Sequence, residues 1–360
     1  MFKFEDLKSI HIELTTNCQA RCPMCSRNIH SGVKNPLLKI VEWTLEDFKN
    51  IINDDVLNTI DRIYFCGNFG DPMLHDDLIE MCRYVSQTSP KTAIGVHTNG
   101  GARKPEWWAE LARALPEDHC VYFALDGLAD THSLYRVGVE FDKVIENAKA
   151  FIDAGGRAEW TFIKFKHNEH QVEECRALAK EYGFQQFMVK NTSRFLVEPK
   201  YDVWDKDRNT TFVLEPPSDT KTHFLPREVI NDYKTALNEA EIQCHVQGIK
   251  EIYIDGYKTV LPCCWVNPIP YTYYDPAHVN DEVVKVMRDQ YDKMIADFGG
   301  IDNLDANNGL RNIIDSKTWQ TIWQKKWNEE KMVMCARVCG KFKSVDISQP
   351  NEQFIEGTEL

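Results

Sequence analysis

Apolar and polar residues alternate one for one through Ile10-His11-Ile12-Glu13-Leu14, the period of a half-buried strand. The next pattern is helical. Thr44 can cap it, Asp47 follows three residues later, and it runs to about residue 53. A short apolar run then predicts a buried strand over 62–66 that breaks at Gly67. From there helices and strands take turns. A helix is expected over 75–86, a strand over 93–97 and, with Pro105 in a first helical turn, a helix to about 115. A strand over 120–125 precedes a helix over 141–154 that Gly155-Gly156 ends. A strand over 159–166, a helix over 169–182 stopped by Gly183 and a strand over 187–190 complete the series.

Six strands separated by helices imply a parallel sheet with crossover helices. Eight units would close a barrel, so six predict a partial (β/α)6 TIM-like barrel over 1–195. Chemistry in such folds gathers at the C-terminal ends of the strands. Gly67, Thr98-Asn99-Gly100 and Asp126-Gly127 all fall there.

Beyond 195 the periodicity fades. Pro199, Pro216 and Pro217 interrupt a stretch rich in Asp, Lys and Thr, read as a connector over 196–240 with a helix over 227–239. A small α+β domain is expected over 241–345. It opens with a hairpin of 252–254 and 257–261 around Asp255-Gly256. A helix over 281–295 follows, then a last helix capped by Asp315 or Ser316. Trp319, Trp323 and Trp327, spaced four apart, read as a packed helix face. The tail, 346–360, is polar and expected to fray.

With 42 Lys and Arg against 55 Asp and Glu, the net charge of −13 argues against a general nucleic-acid or anionic-membrane surface. No apolar run approaches bilayer length and no signal-peptide core precedes Ile10, so a cytoplasmic protein is expected. Twelve cysteines in that compartment read as metal ligands plus buried thiols rather than disulfides. Cys18, Cys22 and Cys25 cluster early; Cys244, Cys263, Cys264, Cys335 and Cys339 gather late. Cys66, Cys82, Cys120 and Cys175 lie scattered between and read as small apolar residues.

The early three leave the end of the first strand and enter a loop, where their spacing can turn three thiolates toward one point. Such a set suits an iron–sulfur cluster with one iron open to a ligand. A structural zinc site, with His30 or a remote residue as fourth ligand, is the alternative, although zinc favours two pairs of ligands.

The segment Cys18-Gln19-Ala20-Arg21-Cys22-Pro23-Met24-Cys25 resembles the signature of the radical S-adenosylmethionine (radical SAM) superfamily. That resemblance implies a [4Fe-4S] cluster whose open iron takes the amino and carboxylate groups of SAM. It also implies reductive cleavage to a 5′-deoxyadenosyl radical that abstracts hydrogen from a substrate. Gly67-Asn68-Phe69-Gly70-Asp71-Pro72 is similar in part to the Gly-Gly-Glu-Pro loop of the family. Thr98-Asn99-Gly100 matches a triplet common at the third strand. Asp126-Gly127, His132, Arg136 and Gly138 resemble a pattern of peptide-modifying members, with Ala124 where those have serine; Asn168 also fits. The resemblance thus implies cofactor contacts at Met24, Gly67, Gly70, Asp71, Pro72, Asn99, Asp126 and Arg136.

The late cysteines resemble the SPASM and twitch extensions of that superfamily, in which a cysteine, a hairpin ending in Pro-Cys and a closing pair succeed one another. Five cysteines are too few for two clusters. The resemblance implies one auxiliary [4Fe-4S] cluster on Cys244, Cys263, Cys335 and Cys339, with Cys264 as the alternative to Cys263. The 70 residues between Cys264 and Cys335 exceed the usual family spacing. The expected function is radical modification of a peptide or protein side chain, with flavodoxin or ferredoxin as one-electron reductant. A twitch-type small-molecule dehydrogenase or epimerase is the second reading, and a non-catalytic zinc-bound interaction protein the third.

Overall fold

A computed structural model describes residues 1–192, 194–195, 200–219, 237, 239–271, 282–341 and 354–359. The six expected strands are β1 (Ser9–Ile12), β2 (Arg62–Phe65), β3 (Ala93–Thr98), β4 (His119–Ala124), β5 (Ala158–Ile163) and β6 (Gln186–Lys190). Between them run α1 (Leu45–Ile51), α2 (Leu78–Thr88), α3 (Pro105–Ala114), α4 (Phe141–Asp153) and α5 (Val172–Glu181). The start of α1 follows from its cap: Thr44 Oγ1 accepts from Asp47 N at 3.0 Å, and Asp47 Oδ2 accepts from Thr44 N at 3.1 Å.

The six strands pair in parallel, each with the next, from β1 to β6. Register then sorts the side chains into two faces. Ile10, Ile63 and Ile94 lie side by side on the outer face, as do Phe123, Trp160 and Phe187 further along. The helices cover this face, and Trp108, Phe151, Phe123 and Trp160 have no exposed surface. Each such side chain contributes about 1.5–3 kcal/mol when removed from water. The inner face carries His11, Tyr64 and Cys120 in one row and His97, Tyr122 and Glu159 in another. Burial alternates along β4 residue by residue, with the inner positions only half-buried. The result is a partial barrel with a greasy exterior under helices and a polar lumen.

Three expectations change in the structure. The hairpin expected to open a second domain continues the barrel sheet instead. Its first strand, Glu251–Ile254, pairs in parallel with β1, and its return strand, Val260–Leu261, pairs antiparallel to that. The physical reason is the open edge of β1, whose N–H and C=O groups need partners; Ile252 and Ile254 are fully buried there. The connector contains a hairpin of its own, β7 (Tyr201–Trp204) and β8 (Thr210–Leu214). The barrel-edge strands just described therefore become β9 and β10. In the tail, β11 (Phe354–Glu359) runs antiparallel to β6 at the far edge, where fraying was expected. The nine strands follow the order β10-β9-β1-β2-β3-β4-β5-β6-β11.

The helix expected over 227–239 lies outside the described residues apart from 237 and 239. The later helices are α6 (Glu282–Asp297), α7 (Lys317–Asn328) and α8 (Val333–Cys339). Ser316 caps α7, its Oγ accepting from Trp319 N at 3.0 Å. Trp319 and Trp323 are fully buried around Phe298, as a packed face requires. Among the described residues, no helix is long and apolar enough to cross a membrane.

Candidate active site

The cysteine loop leaves β1 at the C-terminal mouth of the barrel. Cys25 N donates to Cys22 O at 3.1 Å and Asn28 N to Cys25 O at 2.9 Å, so the loop coils tightly. Burial pushes the Cys18 thiol well up, and the nearby Asp71, Cys22 and Cys25 add to this. Three thiols from one loop therefore share one neighbourhood. Two of the sulfurs face nitrogen donors: Asn99 Nδ2 stands 3.6 Å from Cys18 Sγ, and Arg136 Nη1 stands 3.9 Å from Cys22 Sγ. Donors of this kind favour thiolate over thiol.

His30, the candidate fourth zinc ligand, is committed elsewhere. Its ring stacks against Tyr201 and Trp204 with centroids 4.4 and 4.0 Å away, and its Nδ1 bonds the Asp202 carbonyl at 2.7 Å. The hairpin that sequence reading missed thus clamps the loop that carries the cysteines. Among the described residues, no three His, Cys, Asp or Glu side chains gather as a single metal ion would require. A cluster, with ligand sulfurs spread around a cube, needs no such closeness.

The loop after β2 is held from beneath. Glu13, fully buried, accepts from Phe69 N at 2.7 Å and Gly70 N at 2.8 Å through Oε1, and from Tyr253 OH at 2.6 Å through Oε2. These two bonds turn the Phe69 and Gly70 N–H groups onto Glu13. Asn68 O accepts from Cys25 Sγ at 3.6 Å, which ties this loop to the cysteine loop. Gly70 is required by close approach: a Cβ there would come within 1.7 Å of Thr15 O and 3.1 Å of Asn17 O. Gly67 is packed against Gly70 O and Glu13 in the same way.

The two expected carboxylates are occupied by protein donors. Asp71 accepts from Thr98 Oγ1 at 2.8 Å and Met73 N at 3.2 Å on one oxygen, and from Asn99 N and Nδ2 at 2.8 and 2.6 Å on the other. Burial raises its pKa to about 6 against the pull of those bonds. It therefore orients Asn99, whose amide also reaches Gln19. Pro72 begins a short 3-10 turn, Pro72–Leu74. Asp126 accepts from Ile163 N and from Arg136 Nε, both at 2.6 Å, and so aims Arg136 at Cys22. Asn168 braces this point by donating to the Asp126 carbonyl at 3.2 Å. Met24 is buried, and its carbonyl accepts from Arg194 Nη1 at 2.9 Å.

The protein-family model of the radical SAM superfamily matches residues 12–179. This span is similar to a radical SAM superfamily domain. Over 206 residues the chain is 29% identical to the tungsten-containing aldehyde ferredoxin oxidoreductase cofactor-modifying protein of Pyrococcus furiosus. That match covers 55% of this chain and 55% of that protein, about half the length of each. Among solved structures, native anSMEcpe with bound AdoMet superposes with a TM-score of 0.52 at 14% identity, over 96% of this chain and 92% of that one. Streptococcus suis SuiB bound to the precursor peptide SuiA gives 0.51 at 15% identity, over 88% and 67%. At these identities the likeness is one of fold. The matched span runs from the last residue of β1 to most of α5 and takes in the cysteine loop and the Asp71 loop described above.

The late cysteines converge outside that domain. Gln243 N donates to Cys339 O at 3.0 Å, bringing Cys244 beside the end of α8. Cys335 and Cys339 stand one turn apart on α8. Burial raises the Cys335 thiol, and Cys263, Cys244 and Cys339 all add to it. Cys264 instead has Cys66 and Glu251 as neighbours besides Cys263. Cys263 thus has Cys244 and Cys339 among its neighbours, whereas Cys264 has Cys66 and Glu251. Sequence reading missed Glu13, Tyr253, Asn68 and Arg194. The one signal was Glu13 itself, a carboxylate at an inward strand position directly before the cysteines.

Proposed function

We propose that this protein is a radical SAM enzyme that modifies a peptide or protein side chain. The observation that carries the reading is the convergence of Cys18, Cys22 and Cys25 at the mouth of a parallel barrel, with Asn99 and Arg136 donors on their sulfurs. Three thiolates suit a [4Fe-4S] cluster with one iron open to SAM. When bound, cluster and SAM supply a 5′-deoxyadenosyl radical for hydrogen abstraction. The residues around them position and enclose. Asp71 and Gln19 orient Asn99, Asp126 orients Arg136, and Glu13 turns the Phe69-Gly70 amides inward so that loop carbonyls remain for the SAM ammonium.

Cys244, Cys263, Cys335 and Cys339 are proposed as ligands of an auxiliary [4Fe-4S] cluster in a SPASM/twitch-like region, with transfer of an electron to or from the substrate as its role. The neighbourhood of the four thiols and the separate placing of Cys264 support this ligand set. A flavodoxin or ferredoxin is the proposed reductant. A single late quartet also suits a twitch-type dehydrogenase or epimerase of small molecules, which is the second reading.

The test is anaerobic reconstitution followed by iron and sulfide analysis and a SAM cleavage assay with dithionite. About eight irons per chain are expected from two four-iron clusters, together with slow release of 5′-deoxyadenosine. Stoichiometric zinc without labile sulfide, or no SAM cleavage by fully loaded protein, refutes the reading.

A further inference from the structure

Asn68 touches both cysteine regions. It belongs to the loop after β2, and its Nδ2 donates to the Cys264 carbonyl at 2.8 Å and to Tyr253 OH at 3.3 Å. Its backbone carbonyl accepts from Cys25 Sγ at 3.6 Å. Cys264 follows Cys263, a candidate ligand of the late site, and Cys25 is a candidate ligand of the early one.

Tyr253 is the fixed point of this arrangement. It stands on β9 beside His11 of β1, and it has no exposed surface. Asn267 Nδ2 also donates to the phenol, at 3.0 Å. A phenol oxygen accepts hydrogen bonds but has a single proton to donate. With both amide nitrogens donating to it, that proton is committed to Glu13 Oε2, 2.6 Å away. Glu13 in turn holds Phe69 N and Gly70 N through its other oxygen. Tyr253 thus supplies the side-chain donor that a fully buried carboxylate requires. In a buried polar chain each member is satisfied by the next, so moving one leaves another unpaired. The placing of Cys264 and Asn267 is therefore felt at Phe69 and Gly70. Tyr253, Cys264 and Asn267 all lie outside residues 12–179, the span matched by the family model.

We propose that this network couples the two cysteine regions, with Tyr253 as the positioning residue, so that the loop after β2 binds SAM more tightly when the late region holds its cluster. The proposal rests on the radical SAM reading for the role of that loop and on the late quartet as a cluster site. Such coupling is reciprocal: SAM must favour the loaded late region by the same factor. The shift is one of affinity, so cleavage at saturating SAM persists without the late cluster.

The experiment is equilibrium dialysis of SAM against anaerobically reconstituted protein, with amide hydrogen exchange at Phe69 and Gly70 measured on the same protein without SAM. Tyr253→Phe keeps the ring and removes the O–H. It should weaken SAM binding about tenfold and speed exchange at both amides by a similar factor, the worth of a well-made buried hydrogen bond. Iron content and exchange in β3 should stay as in the wild type. Cys335→Ala with Cys339→Ala should weaken SAM binding about fivefold, the lower end of coupling between sites, and combining it with Tyr253→Phe should cost little more than Tyr253→Phe alone. Asn267→Leu removes one bond to the phenol and a buried Oδ1 that has no partner. It should weaken SAM binding about threefold, and it keeps the test open should Tyr253→Phe not fold. Unchanged SAM affinity in the late double variant overturns the proposal. Strictly additive losses in the combined variant also overturn it, since the coupling would then bypass Tyr253. So does unchanged exchange at Phe69 and Gly70 in Tyr253→Phe or, if that protein does not fold, in Asn267→Leu. Wild-type protein that binds no SAM would sink the radical SAM reading instead, and a late double variant with undiminished iron the auxiliary-cluster reading; in either case the exchange at Phe69 and Gly70 still judges the network.

Discussion

Removing the Asp126 carboxylate should be among the most damaging single changes in the barrel. Asp126 has no exposed surface, and its two oxygens accept from Arg136 Nε and Ile163 N at 2.6 Å each. Asp126→Ala leaves a guanidinium inside the protein without its counter-charge and a strand N–H without its acceptor. Breaking a buried pair from one side costs about 3–5 kcal/mol. Taking the middle of that range, the folded-to-unfolded ratio falls by roughly a thousandfold. The assay is urea denaturation of the protein before and after cluster reconstitution, in a cycle with Arg136→Met. The double variant should recover a good part of the loss, because the stranded charge is gone, while Arg136→Met alone should resemble Asp126→Ala in severity. Arg136 also stands 3.9 Å from Cys22 Sγ, so SAM affinity of the refolded Asp126→Ala protein should drop as well. A stability loss below about 1 kcal/mol, the value of an exposed pair, refutes the reasoning. So does a double variant that shows strict additivity.

Gly70→Val should lower iron content along with SAM binding, because the added Cβ meets the Thr15 and Asn17 carbonyls that lead into Cys18; normal iron with poor SAM binding would show that the clash is absorbed elsewhere. His132, fully buried with Nδ1 accepting from Asp126 N at 3.1 Å, has its pKa lowered to about 3 by burial and then by Arg136. Its folded pKa lies below the unfolded one, so its contribution is complete above about 6.5 and is lost as pH falls toward 3. Relative to His132→Asn, the wild type should therefore lose about 2 kcal/mol between pH 7 and pH 5, from 1.5 pK units at 1.36 kcal/mol each; a pH-independent difference between the two proteins refutes this. Cys335→Ala with Cys339→Ala should halve the iron, lower stability and leave SAM cleavage in place while stopping product formation; product at the normal rate would make the late site dispensable.

Local sequence determined much of this protein. Periods of two and of 3.6 residues placed all six barrel strands and their crossover helices, because outer-face positions must be apolar to meet the helices wherever the strands end up. The Thr44-Asp47 box and Ser316 marked helix starts, since a cap is satisfied within four residues. The spacing of Cys18, Cys22 and Cys25 pointed to the candidate site, because one loop carries all three thiols. Contacts between distant segments were legible nowhere in those patterns. Tyr253 reaches Glu13 across 240 residues, and β9 joins β1 because that edge lacks a partner, not because of anything in its own alternation. A hairpin with weak periodicity, Tyr201–Leu214, was hidden until its aromatic rings were seen to grip His30. Cys263 and Cys264 are equivalent as letters, and only folding gives Cys263 the neighbours Cys244 and Cys339 and Cys264 the neighbours Cys66 and Glu251. Arg194 belongs to none of the motifs in the sequence; the fold brings it over the cysteine loop, where its Nη1 donates to the Met24 carbonyl, since such neighbours meet only on folding.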